Sequence, residues 1–165
     1  MTICQGPIVQ TAWVTVDGDS TERFLTDQVG AGAWTRIPDV HFSPETCTYR
    51  GEPADFVAHV SLTYLGDMQL EVIQPVRGDS IYTEFLATAG GGLHHICFET
   101  EDLAVAESEA AAQGIQVVQR GVMADGAMAF AYLDGSVSGV PYIELAQISP
   151  DMRSFYDYVK SQATR

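Results

Sequence analysis

The sequence predicts an α+β fold, in which two tandem βαβββ modules form one curved, mixed sheet around a central trough and a C-terminal helix follows. Three observations predict it. Each half of the chain reads as a strand, a helix and three further strands. The two halves repeat at matching offsets. The strand-forming stretches alternate apolar and polar residues at period two, while the helical ones carry caps and terminating glycines. On this reading residues 1–165 are a single domain, with module one at 7–75, a connector at 76–92, module two at 93–147 and the last helix at 148–165.

Ile8 to Val16 predicts the first strand, with Gln10, Ala12 and Val14 on one face and Trp13 and Thr15 on the other. Asp17-Gly18-Asp19 breaks it. Asp19, with Glu22 three residues on, predicts a capping box for a helix through Phe24, Leu25 and Val29, ended by Gly30. Residues 31–55 hold three prolines and read mostly as a long loop, with a short strand at Trp34-Thr35-Arg36-Ile37. Phe56 to Tyr64 and Met68 to Ile73 form a hairpin about Gly66-Asp67. The connector carries a short helix, Ser80 to Thr88, and then three glycines.

Module two opens with Leu93-His94-His95-Ile96-Cys97-Phe98-Glu99 as a strand, and Asp102 caps a helix from Leu103 to Gln113 that Gly114 ends. Gln116 to Val122, Met128 to Leu133 and Tyr142 to Ala146 follow as strands. Ser149 and Pro150 start the last helix, whose Met152, Phe155, Tyr156 and Val159 share one face. The repeat is visible residue by residue. Gln10 and His95 each stand seven residues before the aspartate that ends their strand, Asp17 or Asp102. Leu70-Glu71-Val72-Ile73-Gln74 matches Ile143-Glu144-Leu145-Ala146-Gln147, and a glycine precedes each glutamate by five residues.

Composition bounds the function. With 46% hydrophobic and 18% charged residues the chain is a compact globule, not a disordered one. A formal net charge of −14, with Lys160 the sole lysine, excludes nucleic acid and anionic membrane as main partners. No run is apolar for long enough to span a bilayer, and the opening Met1 to Pro7 lacks the basic start of a signal peptide. Cys4, Cys47 and Cys97 are scattered, without a C-x-x-C pair, so reduced thiols and a cytoplasmic location are expected.

Taken singly, His95 reads as a satisfied core histidine, and Glu71 and Glu144 as residues on a solvated sheet face. The duplication changes this. Two edge-paired modules bring Gln10, Glu71, His95 and Glu144 to the floor of the trough, where buried carboxylates cost several kcal/mol unless they protonate or meet a cation. One nitrogen and three oxygens suit one divalent ion (zinc, nickel, cobalt or manganese) that keeps positions for water or substrate. Candidate pocket walls are Trp34, Phe42, Tyr49, His59, Met128, Phe130 and Tyr132. Arg36, Arg50, Arg77 and Arg120 are the candidates for an anionic substrate group. Trp34, His59, Arg120, Phe130 and Tyr132 are the expected substrate contacts.

The segments Gly92-Leu93-His94-His95-Ile96-Cys97-Phe98 and Tyr142-Ile143-Glu144-Leu145 resemble those of the vicinal-oxygen-chelate superfamily. So do Gln69 to Pro75 and Pro7 to Val14. That superfamily takes in glyoxalase I, methylmalonyl-CoA epimerase, bleomycin-resistance proteins and extradiol dioxygenases. The resemblance implies metal ligands on the first and last strand of each module, hence Gln10, Glu71, His95 and Glu144. Gln10 resembles the first ligand of some glyoxalase I enzymes, and the His94-His95 pair resembles the epimerase. By strand parity His94 faces the helix-packed side and is no ligand. One histidine is missing for extradiol ring cleavage. The implied activity is that of an isomerase, epimerase or lyase that moves a proton beside the carbonyl of a small substrate, thioesters included, with Glu144 and Glu71 moving the proton. The alternatives are a metal-free ligand-binding protein of the bleomycin-resistance kind and a vestigial member. Uncovered strand edges, the amphipathic last helix and family habit together imply a homodimer.

Overall fold

A computed structural model describes residues 2–164, so the two ends of the predicted domain range, Met1 and Arg165, lie outside it. Strand β1 (Gln10–Val14) leads into α1 (Gly18–Phe24), which continues as a π-helical turn over Leu25–Val29 and ends at Gly30 with φ +87°. The cap is Asp17, not Asp19. Asp17 is in extended conformation, so its carboxylate accepts from the Ser20 N–H at 3.0 Å. Glu22 is then free to turn inward and accept from Arg36.

Where a loop with a short strand was expected, β2 (Thr35–Phe42) is a full strand. Pro38 lacks an N–H and Asp39 sits at φ +53°, which together make a bulge between Ile37 and Val40 before the ladder resumes. The alternation that would have announced the strand is broken at that bulge. A small hairpin follows, β3 (Cys47–Tyr49) and β4 (Glu52–Pro53), and then the long pair β5 (Phe56–Leu65) and β6 (Met68–Arg77). Ser80 caps α2 (Ile81–Ala89) with a full capping box. The second half runs β7 (Gly92–Glu99), α3 (Leu103–Ala112), β8 (Val117–Met123), β9 (Met128–Asp134), β10 (Tyr142–Ile148) and α4 (Pro150–Ala163). Asp102 and Ser149 cap α3 and α4 as expected.

All ten strands form one sheet in the order β2-β5-β6-β1-β7-β10-β9-β8-β3-β4. The first strands of the two halves pair antiparallel at its centre, and each is flanked by a parallel last strand, β6 beside β1 and β10 beside β7. The trough therefore closes within one chain. The pleat sorts the side chains. Leu70 and Val72 of β6 pack outward with Leu25 and Ala31 beneath α1, while Ala131, Leu133 and Leu145 pack outward against Leu103, Ala106 and Ala110 of α3.

Two further features narrow the trough. Only residues 43–46 separate β2, at one edge of the sheet, from β3, which adds to β8 at the other edge. That short tether draws the edges together into a nearly closed half-barrel. Phe42 seals the seam, stacking on Phe56 at 4.5 Å and meeting Phe130 edge-on at 5.9 Å. Gly121 makes the close approach feasible, since a Cβ there would lie 2.5 Å from Cys47 Sγ and 2.7 Å from Phe130 Cζ. Helix α4 lies over the opening. Arg153 to Glu99 ties its start to β7, and Lys160 to Asp67 at 2.7 Å ties its end to the β5–β6 turn.

Candidate metal centre and substrate cavity

The sheet register explains how four side chains from distant positions meet. On one row across the centre, Glu71, Ala12 and His95 are neighbours; on the next, Gln10, Cys97 and Glu144 are. Small Ala12 separates the first pair and Cys97 the second, and both are buried, so the longer side chains lean over them toward one point. His95 Nε2 stands 3.1 Å from Glu144 Oε2 and 3.4 Å from Glu71 Oε2. Gln10 is steered by its amide N–H, which donates to Gln69 Oε1 at 2.6 Å and leaves Gln10 Oε1 buried without a partner. His95 Nε2 is likewise buried without a properly aligned hydrogen bond, despite its short contacts to the two carboxylates.

Among the described residues, no group of three or more His, Cys, Asp and Glu side chains has the spacing of a formed metal cage. The fit to a cation rests instead on the two bare donor atoms and on the two N–O separations, which are close to the roughly 3 Å that bonds of about 2.1 Å give between adjacent ligands. Gln10 Oε1, Glu71, His95 Nε2 and Glu144 could hold one divalent ion. Without one, burial disfavours the charged form of His95, but the short contacts to Glu144 and Glu71 and their charges outweigh it and raise its pKa to about 9. Burial also pushes the Glu71 carboxyl above its usual range.

His94 departs from the sequence reading. The β1–β7 register shifts between Ala12 and Trp13, opposite His94, and this bulge turns its ring to the interior beside His95. It packs on Tyr142 at 4.8 Å and on Phe85 at 5.0 Å, and its Nδ1 lies 2.9 Å from His95 Nδ1. Parity fails at a bulge. Burial, reinforced by the charge of His95, lowers the His94 pKa to about 2.

A cavity of about 640 Å³ is lined by Gln10, Glu71 and Glu144, with His95 fully buried behind them. Its walls are apolar, with Ile37, Val40, Phe42, Val60, Leu62 and Ile73 from the first half and Met128, Phe130 and Tyr132 from the second. Of the expected substrate contacts, Phe130 and Tyr132 line it and the other three do not. Trp34 lies on the outer face with the α1 cluster, its Nε1–H donating to Thr26 at 3.0 Å. His59 faces a separate outer hollow and accepts from the Asp39 N–H at 3.1 Å. Arg120 is turned to α3 by Glu107 at 2.9 Å. Each sits on the pleat face opposite the trough, a distinction that needs the strand register. Tyr49 is also outside the lining, with its hydroxyl donating to Glu84.

A sequence profile of the Glyoxalase/Bleomycin resistance protein/Dioxygenase superfamily matches residues 9–132. The chain belongs to that superfamily. No curated protein matches it in sequence. Among solved structures, methylmalonyl-CoA epimerase from Mycobacterium tuberculosis aligns with a TM-score of 0.63 at 16% identity, covering 93% of this chain and 94% of its own. A variant of the Streptomyces coelicolor epimerase in complex with 2-nitronate-propionyl-CoA aligns with a TM-score of 0.64 at 20% identity, covering 87% and 95%. A methylmalonyl-CoA epimerase in complex with methylmalonyl-CoA and NH4+ gives a TM-score of 0.63 at 20% identity, covering 87% and 94%. At these identities the likeness establishes the fold.

Several cavity residues were not assigned to the site from the sequence. Tyr82 of α2 reaches the cavity, and its hydroxyl lies 2.8 Å from that of Tyr132. Burial keeps both phenols protonated far beyond neutral pH. Met152, Phe155 and Tyr156 of α4 roof the cavity, so the apolar stripe predicted on that helix covers the chain's own trough. The stripe itself was the available signal; which surface it covers depends on the path of the chain after β10.

Proposed function

We propose that the chain is a divalent-cation-dependent isomerase, epimerase or lyase that moves a proton on the carbon beside a substrate carbonyl. The observation that carries this reading is the convergence of Glu71 and Glu144, which line an apolar cavity, on the buried His95, with the bare Gln10 oxygen beside them. A bound cation would supply Lewis-acid stabilisation of charge developing on the carbonyl oxygen. Gln10, Glu71, His95 and Glu144 would hold it. The remaining work falls to the chain's own groups. Glu144 and Glu71 approach the site from opposite sides of His95, which suits one to remove the proton and the other to return it. The Tyr82–Tyr132 pair shares one internal hydrogen bond, so one of the two O–H groups remains free to orient a substrate oxygen. Apolar walls and the α4 roof exclude water.

Glu144→Gln preserves size and tests the role directly. Solvent deuterium uptake at the substrate carbon should fall by about 100-fold or more, the range of a general acid–base contribution, while thermal unfolding stays cooperative. Undiminished exchange would remove Glu144 from the mechanism. One observation favours a second reading, a metal-free ligand-binding protein. His95 lies 3.1 Å from Glu144 and 3.4 Å from Glu71, and against the cost of burial these neighbours favour its protonated form, a closure that needs no cation. Metal analysis of protein purified without chelator separates the two readings, since the enzyme should retain close to one ion per chain.

A further inference from the structure

Among the described residues, the lysine and arginine side chains stand away from the cavity, and none lines it. Its charged and titratable lining is Glu71 and Glu144 on the floor and Asp39, His41 and Asp151 toward the mouth. The basic side chains are engaged elsewhere, each by a carboxylate: Arg36 by Asp19 and Glu22, Arg50 by Glu84, Arg77 by Asp55, Arg120 by Glu107, Arg153 by Glu99 and Lys160 by Asp67. Arg23 is exposed on α1 and acts on Asp17. A smaller hollow of about 170 Å³ beside α4 does include Arg153 and Lys160, but Asp67, Glu99 and Asp157 line it too. Away from the floor, where Glu71 and Glu144 are the proposed cation ligands, a substrate carboxylate or phosphate would enter a low-dielectric space that carries Asp39 and Asp151, with no guanidinium or ammonium among the described residues to receive it.

From this we infer that the part of the substrate entering the cavity is an uncharged carbonyl compound with an apolar or aromatic body, and not a dicarboxylic acyl thioester such as methylmalonyl-CoA. The inference rests on the proposed proton transfer only for the carbonyl; the charge and polarity follow from the walls. About 640 Å³ lies in the range that encloses a drug-sized ligand. Phe42, Phe130 and Phe155 are among the lining residues, apolar surface that suits an aromatic body. Coenzyme A brings three phosphate groups, and the acidic mouth opposes their approach.

Protein purified without chelator is titrated calorimetrically with three probes: neutral 2-hydroxyacetophenone, its 4-carboxylate, and methylmalonyl-CoA. The neutral ketone should bind roughly tenfold or more tightly than its carboxylate, as expected for like charges about 10 Å apart at an effective dielectric near 20. The gap should shrink with added salt and with Asp151→Lys. Equal or tighter binding of the carboxylate or the thioester overturns the inference, as does failure of the neutral ketone to bind. Deuterium uptake from solvent is read on the same probes. A ketone that binds but does not exchange counts against the proton-transfer reading and leaves the charge selectivity standing. Exchange on methylmalonyl-CoA does the reverse.

Discussion

The 2.9 Å contact between the Nδ1 atoms of His94 and His95 obliges one ring to donate and the other to accept. When His95 donates, its Nε2 carries a lone pair directed between Glu71 and Glu144, the form a cation requires. Burial holds His94 neutral, so it remains able to accept. His94 is thus a positioning residue for His95. His94→Phe keeps an aromatic ring against Phe85 and Tyr142 but removes the acceptor. Affinity for Co²⁺ or Mn²⁺ in a calorimetric titration should fall by about 10- to 100-fold, as for other partners of metal-binding histidines. Unchanged affinity would show that the His94 ring only fills space. The sequence placed His94 on the wrong side because parity assumes an unbroken ladder, and the shift opposite Ala12 and Trp13 breaks it.

At the scale of elements, convergence depends on what stands between the four donors. Ala12 is fully buried between Glu71 and His95 on one row of the sheet. Ala12→Leu should force those side chains apart. The overpacking costs about 1–3 kcal/mol, while binding of a divalent cation should be lost in the same titration. Retained binding would mean that the donors meet by some route other than leaning over this position. The strands that carry the donors were legible because Glu71 and Glu144 fall at equivalent places in a repeat, as Gln10 and His95 do. Other elements were not. Strand β2 hides behind Pro38 and the left-handed Asp39, and β3 pairs with β8 across the molecule, a contact with no local pattern. His59 and Arg120 have the right chemistry for a pocket, and only the strand register shows that they face outward.

Across the whole molecule, the two buried histidines set opposing pH dependences. His95, held by Glu144 and Glu71 against the cost of burial, has a pKa of about 9, above the ~6.5 of an unfolded histidine. The folded state therefore binds the extra proton between those values. Its contribution is full below pH ~6.5 and is lost as pH rises through about 9. His94 acts in the other direction. Its pKa is pushed down to about 2, so below pH ~6.5 the unfolded chain takes up a proton that the fold refuses, and stability declines as pH falls. Chelator-treated protein should accordingly unfold at a highest temperature near pH 6.5, with a decline toward pH 9. A divalent cation held by the four donors would compete with the proton at His95 Nε2. At about 100 times its dissociation constant it stabilises by roughly 2.7 kcal/mol, or about 5–10 °C for a chain of this size. Loading with Mn²⁺ should raise the melting temperature by that amount at pH 8–9 and flatten the alkaline decline, and His95→Gln should abolish both effects. If the treated and loaded proteins trace the same curve from pH 6 to 9, proton and cation do not share this site. The trough would then be a binding cavity closed by its own imidazolium.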